Sequence, residues 1–497
     1  MAIKLIYSDL PLGAAEDAKI TTANYKEFSK PEELPFGVSS GAVATLEPNA
    51  WGLTSEIKTK DSQPFAFWSN AISNNNGVFA TPPEIKIEFS EQYTATGISF
   101  RFSPGLNEYC NNVYVEWWQN GAVKESGYFS PTSAVYVLEK TVEAFDKIVV
   151  KLLSTNLPFR RAKLEALITG AVREIDGKEL ISSQYINEID LISNIVPINV
   201  LDAEFHSLSN ADLIFQKKQP VEAFDNDTLI GVYYIETGER LGRNRYNFSC
   251  QDAIGILDKD TYPGGLWLED ILAADLLTNI VGGSFELDIS PEYAESKIRG
   301  YMPECTRREA LQKVAFSLGA IIDTTGTKKI KIFPPITTGE GVEISPKETY
   351  IGGKVTTSDT VTEVVVHGYD IEDKRPTEPW HKYIEVEVDD EPQQYKYELT
   401  KATAVNPNVS SGTLPNKIEF TECYLISSEN AQQRANEILS YYMRRNIYNA
   451  SHIARDNKPG ERASVSLPWS GSQNSNILKM KVVTSGITVS NTDFLLD

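Results

Sequence analysis

The sequence is poor in the residues that build metal and redox chemistry. Four cysteines, Cys110, Cys250, Cys305 and Cys423, stand far apart, with no CxxC pair. That spacing argues against a disulfide framework and a cysteine-rich zinc site, and predicts four buried, reduced thiols. The four histidines, His206, His367, His381 and His452, are equally isolated, without HExxH or HxH. No histidine-built metal centre is expected. There is no GxSxG, no Walker A and no GxGxxG after a strand. DNDTLIG (225–231) opens like a calcium loop but lacks the later ligands, so it reads as a solvated turn. No apolar run approaches the roughly 20 residues that span a bilayer. The opening MAIKLIYSDLPLGAAEDAK has no basic stretch followed by an apolar one, so no signal peptide is expected and synthesis is placed in the cytoplasm. Cations are also scarce: 47 Lys+Arg face 68 Asp+Glu, a net charge of −21. A surface of that sign disfavours a grip on nucleic-acid phosphates or an anionic membrane.

What is present is a globular composition in 497 residues, 41% hydrophobic and 10% aromatic, enough for several domains. Period-two alternation dominates. Ile85/Ile87/Phe89, Ile98/Phe100/Phe102, Val113/Val115/Trp117, Val135/Val137 and Ile148/Val150/Leu152 predict strands, with turns at Thr96-Gly97, Asn120-Gly121 and Phe145-Asp146. Asn120-Gly121 is a strong hairpin signal. Evenly spaced short strands favour a sandwich or jelly roll, around which Trp51, Phe65, Phe67 and Trp68 would wrap. The fold class predicted is mainly β with a few helices, a multi-domain α+β chain.

Five regions follow. Residues 1–172 form an N-terminal β-sandwich. Residues 173–265 hold a connector and a first barrel of strands; within the connector, Ile181, Tyr185, Ile189 and Ile192 suit a short helix. Residues 266–335 hold helices and a hairpin. WLEDILAADLLTNIV (267–281) predicts a helix with Glu269 and Asp270 in its first turn. Thr306 and Glu309 make a capping box for a second helix, with the stripe Ala310, Leu311, Val314, Ala315 and Leu318 and a terminating Gly319. Residues 336–425 hold a second barrel region, in which KATAVNPNVSSGTLPNK (401–417) reads as loop. Residues 426–497 hold a last helix, capped by Ser428, and closing strands.

Two clusters invite a chemical reading. Alternation places Glu116 and Trp118 on one face and Trp117 on the other. A carboxylate beside an exposed indole suits contact with a glycan; the structural alternative is that Trp118 merely shields the outer face. Arg307-Arg308 after a Thr cap suits either an anion at a helix N-terminus or surface charge. No catalytic residue, cofactor-binding residue, metal ligand or cofactor is assigned.

The segment YMPECTRREALQKVAFSLGAIIDTTGTKKIKIFPP resembles a recurrent segment of phage tail proteins, in which a Thr-Arg-Arg-Glu-Ala-Leu helix leads into a short hairpin. DTLIGVYYIETGERLGRNRYNFSCQDAIGILDKDTYPGG is similar to the same family's strand pair, and NAQQRANEILSYYMRR followed by KPGERASVSLPW to the last helix and strand of baseplate hub proteins. The resemblance covers roughly 200–497. Residues 1–170 lie outside it and look, by pattern alone, like a galactose-binding-type sandwich. The family resemblance implies a homotrimeric, non-enzymatic hub. It would join a six-fold tail tube to a three-fold spike or tip around a channel, in contact with tape-measure and other baseplate proteins. It would sit in a virion tail baseplate, a contractile injection system or a released bacteriocin-like particle. Specific nucleic-acid binding and membrane insertion are not implied. The alternatives are a carbohydrate-binding tail adhesin acting through the sandwich, and a glycosidase or peptidase.

Overall fold

The computed structural model describes residues 3–10, 13–36, 47, 51–54, 56–59, 66–103, 107–207, 213, 215–339, 341–350, 352–388, 391–410, 412–454, 456–485 and 487–497. The chain is mainly β, with 51% of residues in strands against 12% in helices.

Two long antiparallel strands, Glu84–Arg101 and Val135–Ser154, form the spine of the first sheet. Asn112–Gln119 and then Ala122–Phe129 extend it beyond Val135–Ser154. Lys19–Thr22 and Ala166–Thr169 flank opposite halves of Glu84–Arg101. Register breaks between Glu88 and Gly97 bend the spine, since each extra residue kinks the strand that carries it. Both halves then share one core, including Ile85, Ile87, Phe100, Trp117, Leu138 and Phe145. Asn120 and Gly121 take φ 49° and 80°, the left-handed pair that a tight hairpin needs. The other two expected turns are absent. Thr96-Gly97 and Phe145-Asp146 lie inside the spine strands, at the bend. Gly97 is required there by close approach, because a Cβ would sit 2.1 Å from the Leu138 carbonyl oxygen.

Phe67 and Trp68 pair with Lys163-Leu164 and enter the sandwich core or its edge. Phe65 and the Trp51 side chain lie outside the described residues. Beside Trp68 sits a buried, balanced charge set. Lys163 Nζ lies 2.9 Å from Glu47 and 2.7 Å from Glu108, and Arg160 Nε lies 2.6 Å from Glu108. The Lys163 ammonium also faces the Trp68 ring at 5.2 Å.

Residues 1–172 are not a single unit. Ile3–Ser8 pairs with Val172–Ile175 on one side and Pro220–Asp225 on the other. The sandwich is therefore inserted between two adjacent strands of a second sheet. Alternation identifies KLIYS as a strand but not the sheet it joins. Asp9, wholly buried, fixes the crossing point. Its carboxylate accepts hydrogen bonds from the Thr96 amide and hydroxyl and from the Ala171 amide, and its carbonyl accepts one from Gln219 Nε2. Burial still holds its carboxyl above the usual range.

Among the described residues the second sheet has 13 strands. Its path runs from Val172–Ile175 through Ile3–Ser8, Pro220–Asp225, Thr228–Arg240, Arg245–Gln251, Val200–His206 and Leu180–Glu188. It crosses to Gly471–Ser485 and continues through Ile487–Leu496 and Asn446–Ile453 to Lys354–Thr357. Arg462–Leu467 and Val342–Ile344 attach through Gly471–Ser485. A single core holds Leu5, Tyr185, Phe205, Phe248, Tyr448, Val465 and Phe494 from both ends of this path. The expected helix over 181–192 is instead mostly strand. Its inward positions are Ser183, Tyr185 and Asn187, and the two polar residues conceal the period-two pattern. Asn187 is satisfied by the Tyr233 hydroxyl at 2.7 Å.

The second strand set also differs from the expected 336–425. It draws on 342–357 and 446–496. Glu363–Ile371, Tyr383–Val388, Glu391–Val405 and Lys417–Phe420 make a separate four-stranded sheet. Residues 401–405, read as loop, continue its long strand. Helix Ala431–Met443 packs on this sheet through Ala431, Ala435 and Ile438 against Val364, Val366 and Ala402. Ser428 does not cap that helix; its N-cap is Asn430, whose Oδ1 instead accepts the Ser427 amide at 3.0 Å.

The helix–hairpin unit forms as its pattern predicts. Thr306 Oγ1 accepts the Glu309 amide at 3.2 Å, and Glu309 accepts the Thr306 amide at 3.0 Å. Helix Arg307–Leu318 ends at Gly319 with φ 74°, and Ile321–Asp323 pairs antiparallel with Ile330–Phe333. The upstream helix is shorter than expected. Gly265–Leu272 is strand, paired with Lys297–Met302, and only Ala273–Val281 is helical. A distant backbone partner overrides local propensity over 267–272.

Two outcomes are expected. Glu108→Ala leaves Arg160 and Lys163 under-neutralised in the interior. It should destabilise the sandwich by about 3–5 kcal/mol in urea unfolding. At the other end of the chain, Arg462 holds the Asp497 side-chain carboxyl below its ordinary range, with burial opposing. Its stabilising contribution is therefore full above the unfolded value of about 3.9 and is lost as pH falls through the lower folded value. Asp497→Asn should flatten that part of the stability-versus-pH curve, measured by urea melts between neutral and acid pH.

Candidate functional site

The outer face of Asn112–Gln119 brings Glu116 and Trp118 together, as alternation requires. Trp118 Nε1 donates to Glu116 Oε2 at 3.2 Å, and Lys151 Nζ lies 3.3 Å from Glu116 Oε1. Lys147 stands over the Trp118 ring at 5.5 Å. Trp117 points the other way, fully buried, edge-on to Phe129 at 6.1 Å. The same outer face carries Tyr114 and Tyr128, paired across strands with ring centroids 4.7 Å apart. Lys151 sits over Tyr114 at 5.5 Å, and Tyr128 is 73% exposed. Tyr114 shares the parity of Glu116 and Trp118, so the sequence pattern could have included it. Tyr128 required knowledge of the strand register.

Chemically, this is a flat aromatic face whose carboxylate is engaged on both oxygens. Such a face suits stacking rather than proton transfer. A concave alternative lies on the same sandwich: a cavity of about 580 Å³ of mixed lining, with Thr21, Asn24, Asn70 and Glu84 beside Ala71, Pro82 and Pro83.

The other residues singled out in the sequence have structural partners. Arg307 Nη1 donates to the Asn279 and Ile280 carbonyls, at the C-terminal end of Ala273–Val281. Arg308 donates to the Val196 carbonyl at 2.7 Å and pairs with Asp258 at 3.3 Å. These arginines join segments and do not converge on an anion site. DNDTLIG is a tight turn between paired strands, with Asn226 at φ 51°. Cys110 and Cys250 are buried, but Cys305 and Cys423 are only half-buried. Burial pushes the Cys423 thiol up to about 12, and Cys305 also lies above its usual value. Among the described residues, no group of three or more His, Cys, Asp and Glu could hold a metal ion, and no helix is long and apolar enough to cross a membrane.

A strongly shifted buried acid lies elsewhere. Asp252 accepts hydrogen bonds from Thr324 Oγ1 at 2.6 Å and from the Gly255 amide at 3.2 Å. Burial nonetheless raises its carboxyl to about 6. It caps the short helix Ala253–Leu257, so the shift accompanies a structural role.

No family model matches the sequence, and no curated protein matches it. Several solved structures are similar in part. A tail protein from Neisseria meningitidis MC58 has 11% identity and a TM-score of 0.47, over 66% of this chain and 94% of that one. The 43 kDa tail protein of prophage MuSo2 from Shewanella oneidensis has 10% identity and a TM-score of 0.43, over 66% and 95%. An E. coli type VI secretion component, described as similar to bacteriophage T4 tail proteins, has 9% identity and a TM-score of 0.36, over 64% and 74%.

The two adjacent tryptophans should separate cleanly on mutation. Trp117→Ala should cost about 3–5 kcal/mol, the range for emptying a core aromatic site. Trp118→Ala should leave a cooperative melt close to wild type. Thermal unfolding of both variants measures the contrast.

Proposed function

We propose that the chain is the structural hub of a phage tail baseplate or phage-tail-like particle. It acts as a homotrimeric adaptor between a six-fold tail tube and a three-fold spike or tip, around a central channel. The observation that carries this reading is the 13-stranded sheet. It pools strands from distant parts of the chain over one core. Yet among the described residues its outer strands, Val172–Ile175 and Lys354–Thr357, each pair with a strand on one side only. Open edges invite pairing with another chain, and sister copies around an axis would supply it symmetrically. The helix–hairpin at 307–333, which carries the resemblance to tail proteins, gives independent support. A net charge of −21 suits a channel that must not hold passing DNA. The role is mechanical and connective, without turnover, and its partners are the tube, spike, tape-measure and neighbouring baseplate proteins.

A second reading is a carbohydrate-binding adhesin acting through the sandwich, with Trp118 and Glu116 in contact with the glycan. The row of half-buried Tyr114 and Trp118 beside exposed Tyr128 favours it. Saturable glycan binding that is lost on Trp118→Ala would select this reading.

For the hub, mass photometry of the purified chain should show trimers or rings. A species that stays monomeric at every concentration, and never joins tube or spike protein, would overturn the proposal.

A further inference from the structure

The outer face of the sandwich sheet carries many charges that cancel. Lys86, Lys147 and Lys151 interleave there with Glu84, Glu88 and Glu116. Lys86 lies 3.2 Å from Glu84, Lys147 2.8 Å from Glu88, and Lys151 3.8 Å from Glu84 and 3.3 Å from Glu116. The chain as a whole has a net charge of −21, so a balanced face stands out. A partner with a strong charge of either sign would have to break these pairs, and the face therefore suits an uncharged one. Lys151 is the bridge. One ammonium joins Glu116, which accepts the Trp118 indole N–H, to Glu84, two strands away.

Glu84 and Lys86 also line the cavity of about 580 Å³, so the aromatic face and the cavity share a wall. The lining sets the polar groups of Thr21, Asn24 and Thr81 against the apolar rings of Pro82 and Pro83. The Thr21 and Thr81 hydroxyls and the Asn24 side-chain amide bond to nothing else among the described residues. Thr22 Oγ1 donates to the Glu84 carbonyl at 2.6 Å and Asn70 Nδ2 to the Tyr25 carbonyl at 2.8 Å, which fix the rim in shape. A sugar ring has the matching character: an apolar C–H face edged by hydroxyls that donate and accept. A purely apolar ligand would cover the Thr and Asn groups without giving them partners. An ion would find Glu84 and Lys86 already matched. Apolar walls with a few polar groups that set orientation are the general make-up of a ligand site.

The two features lie within reach of one chain of sugars. Trp118 is opposite Lys147, Lys147 is opposite Glu88, and Glu84 is four residues before Glu88 on the same strand. At strand spacings of about 4.8 Å and a rise of about 3.3 Å per residue, Trp118 and Glu84 stand roughly 16 Å apart. Glu116 and Lys151 lie between them. We propose that the Trp118 face and the cavity beside Thr21 and Thr81 are the two ends of one site for an uncharged oligosaccharide of several linked rings. This rests on the adhesin reading, which it deepens by naming the ligand class and a second subsite. The aromatic end stacks on a ring, Lys151 and Glu116 meet hydroxyls along the way, and the cavity receives the far end.

Isothermal titration of the full chain with cello-, chito- and malto-oligosaccharides of one to six units tests the site. At least one series should bind saturably, and in it the affinity should rise about tenfold or more from dimer to hexamer, as a second engaged subsite requires. Thr81→Trp fills the cavity from its rim, and the pair Thr21→Val with Thr81→Val removes the free hydroxyls without filling it. Both threonines are exposed, so thermal melts should stay at wild type. Each change should bring the hexamer down to the affinity of the dimer. Equal affinity for dimer and hexamer, or a length dependence unchanged by both variants while Trp118→Ala abolishes binding, would overturn the extended site and leave the adhesin reading standing. No saturable binding in any series would overturn both.

Discussion

The pairing of Leu180–Glu188 with Gly471–Ser485 is the joint on which the architecture turns. It sets Tyr185 opposite Val482 and Ser183 opposite Thr484. Without it, the early strands and the late strands would each keep an open edge and half a core. With it, Phe205 and Phe248 share one apolar interior with Tyr448 and Phe494. The joint consists of backbone hydrogen bonds, and these gain most where water is excluded on the inner face. The polar inward residue Asn187 lies on the same strand and accepts the Tyr233 hydroxyl, so the joint pairs apolar burial with a specific polar contact.

The inserted sandwich depends on a different device. Asp9 links a sandwich strand through Thr96, the returning chain through Ala171 and the large sheet through Gln219. Gln219 in turn accepts from the Tyr7 hydroxyl at 3.1 Å. The Gln216 side chain adds a bond to the Thr94 carbonyl at 3.3 Å. A domain held by several buried polar bonds at its crossing point is fixed in orientation, unlike one tethered by a flexible linker. Any surface it presents is thereby aimed relative to the large sheet.

Local signals were legible and long-range ones were not. The Thr306–Glu309 box, Gly319 and Asn120-Gly121 act over a few residues, and each stands where its chemistry puts it. The face shared by Glu116 and Trp118 followed from parity alone. Membership of a sheet did not. Ile3–Ser8 joins strands on the far side of the sandwich, and 363–420 forms its own sheet, because alternation records which face is wet and says nothing of the neighbour. The strand at 180–188 was hidden by polar inward residues, and that at 265–272 by a helix-like composition.

Inserting a whole sandwich directly after the strand Ile3–Ser8 has a consequence for biosynthesis. The sandwich draws nearly all of its core from one contiguous stretch, so it can condense while the ribosome is still at work. Ile3–Ser8 meets Val172–Ile175 as the insertion ends and waits longer for Pro220–Asp225, and the sheet it belongs to is complete only after Gly471–Ser485 and Ile487–Leu496 emerge. Such distant pairings are slow to form. The tightly knit insertion can thus ripen early, with the strand Ile3–Ser8 held at its side until the rest of the large sheet is made.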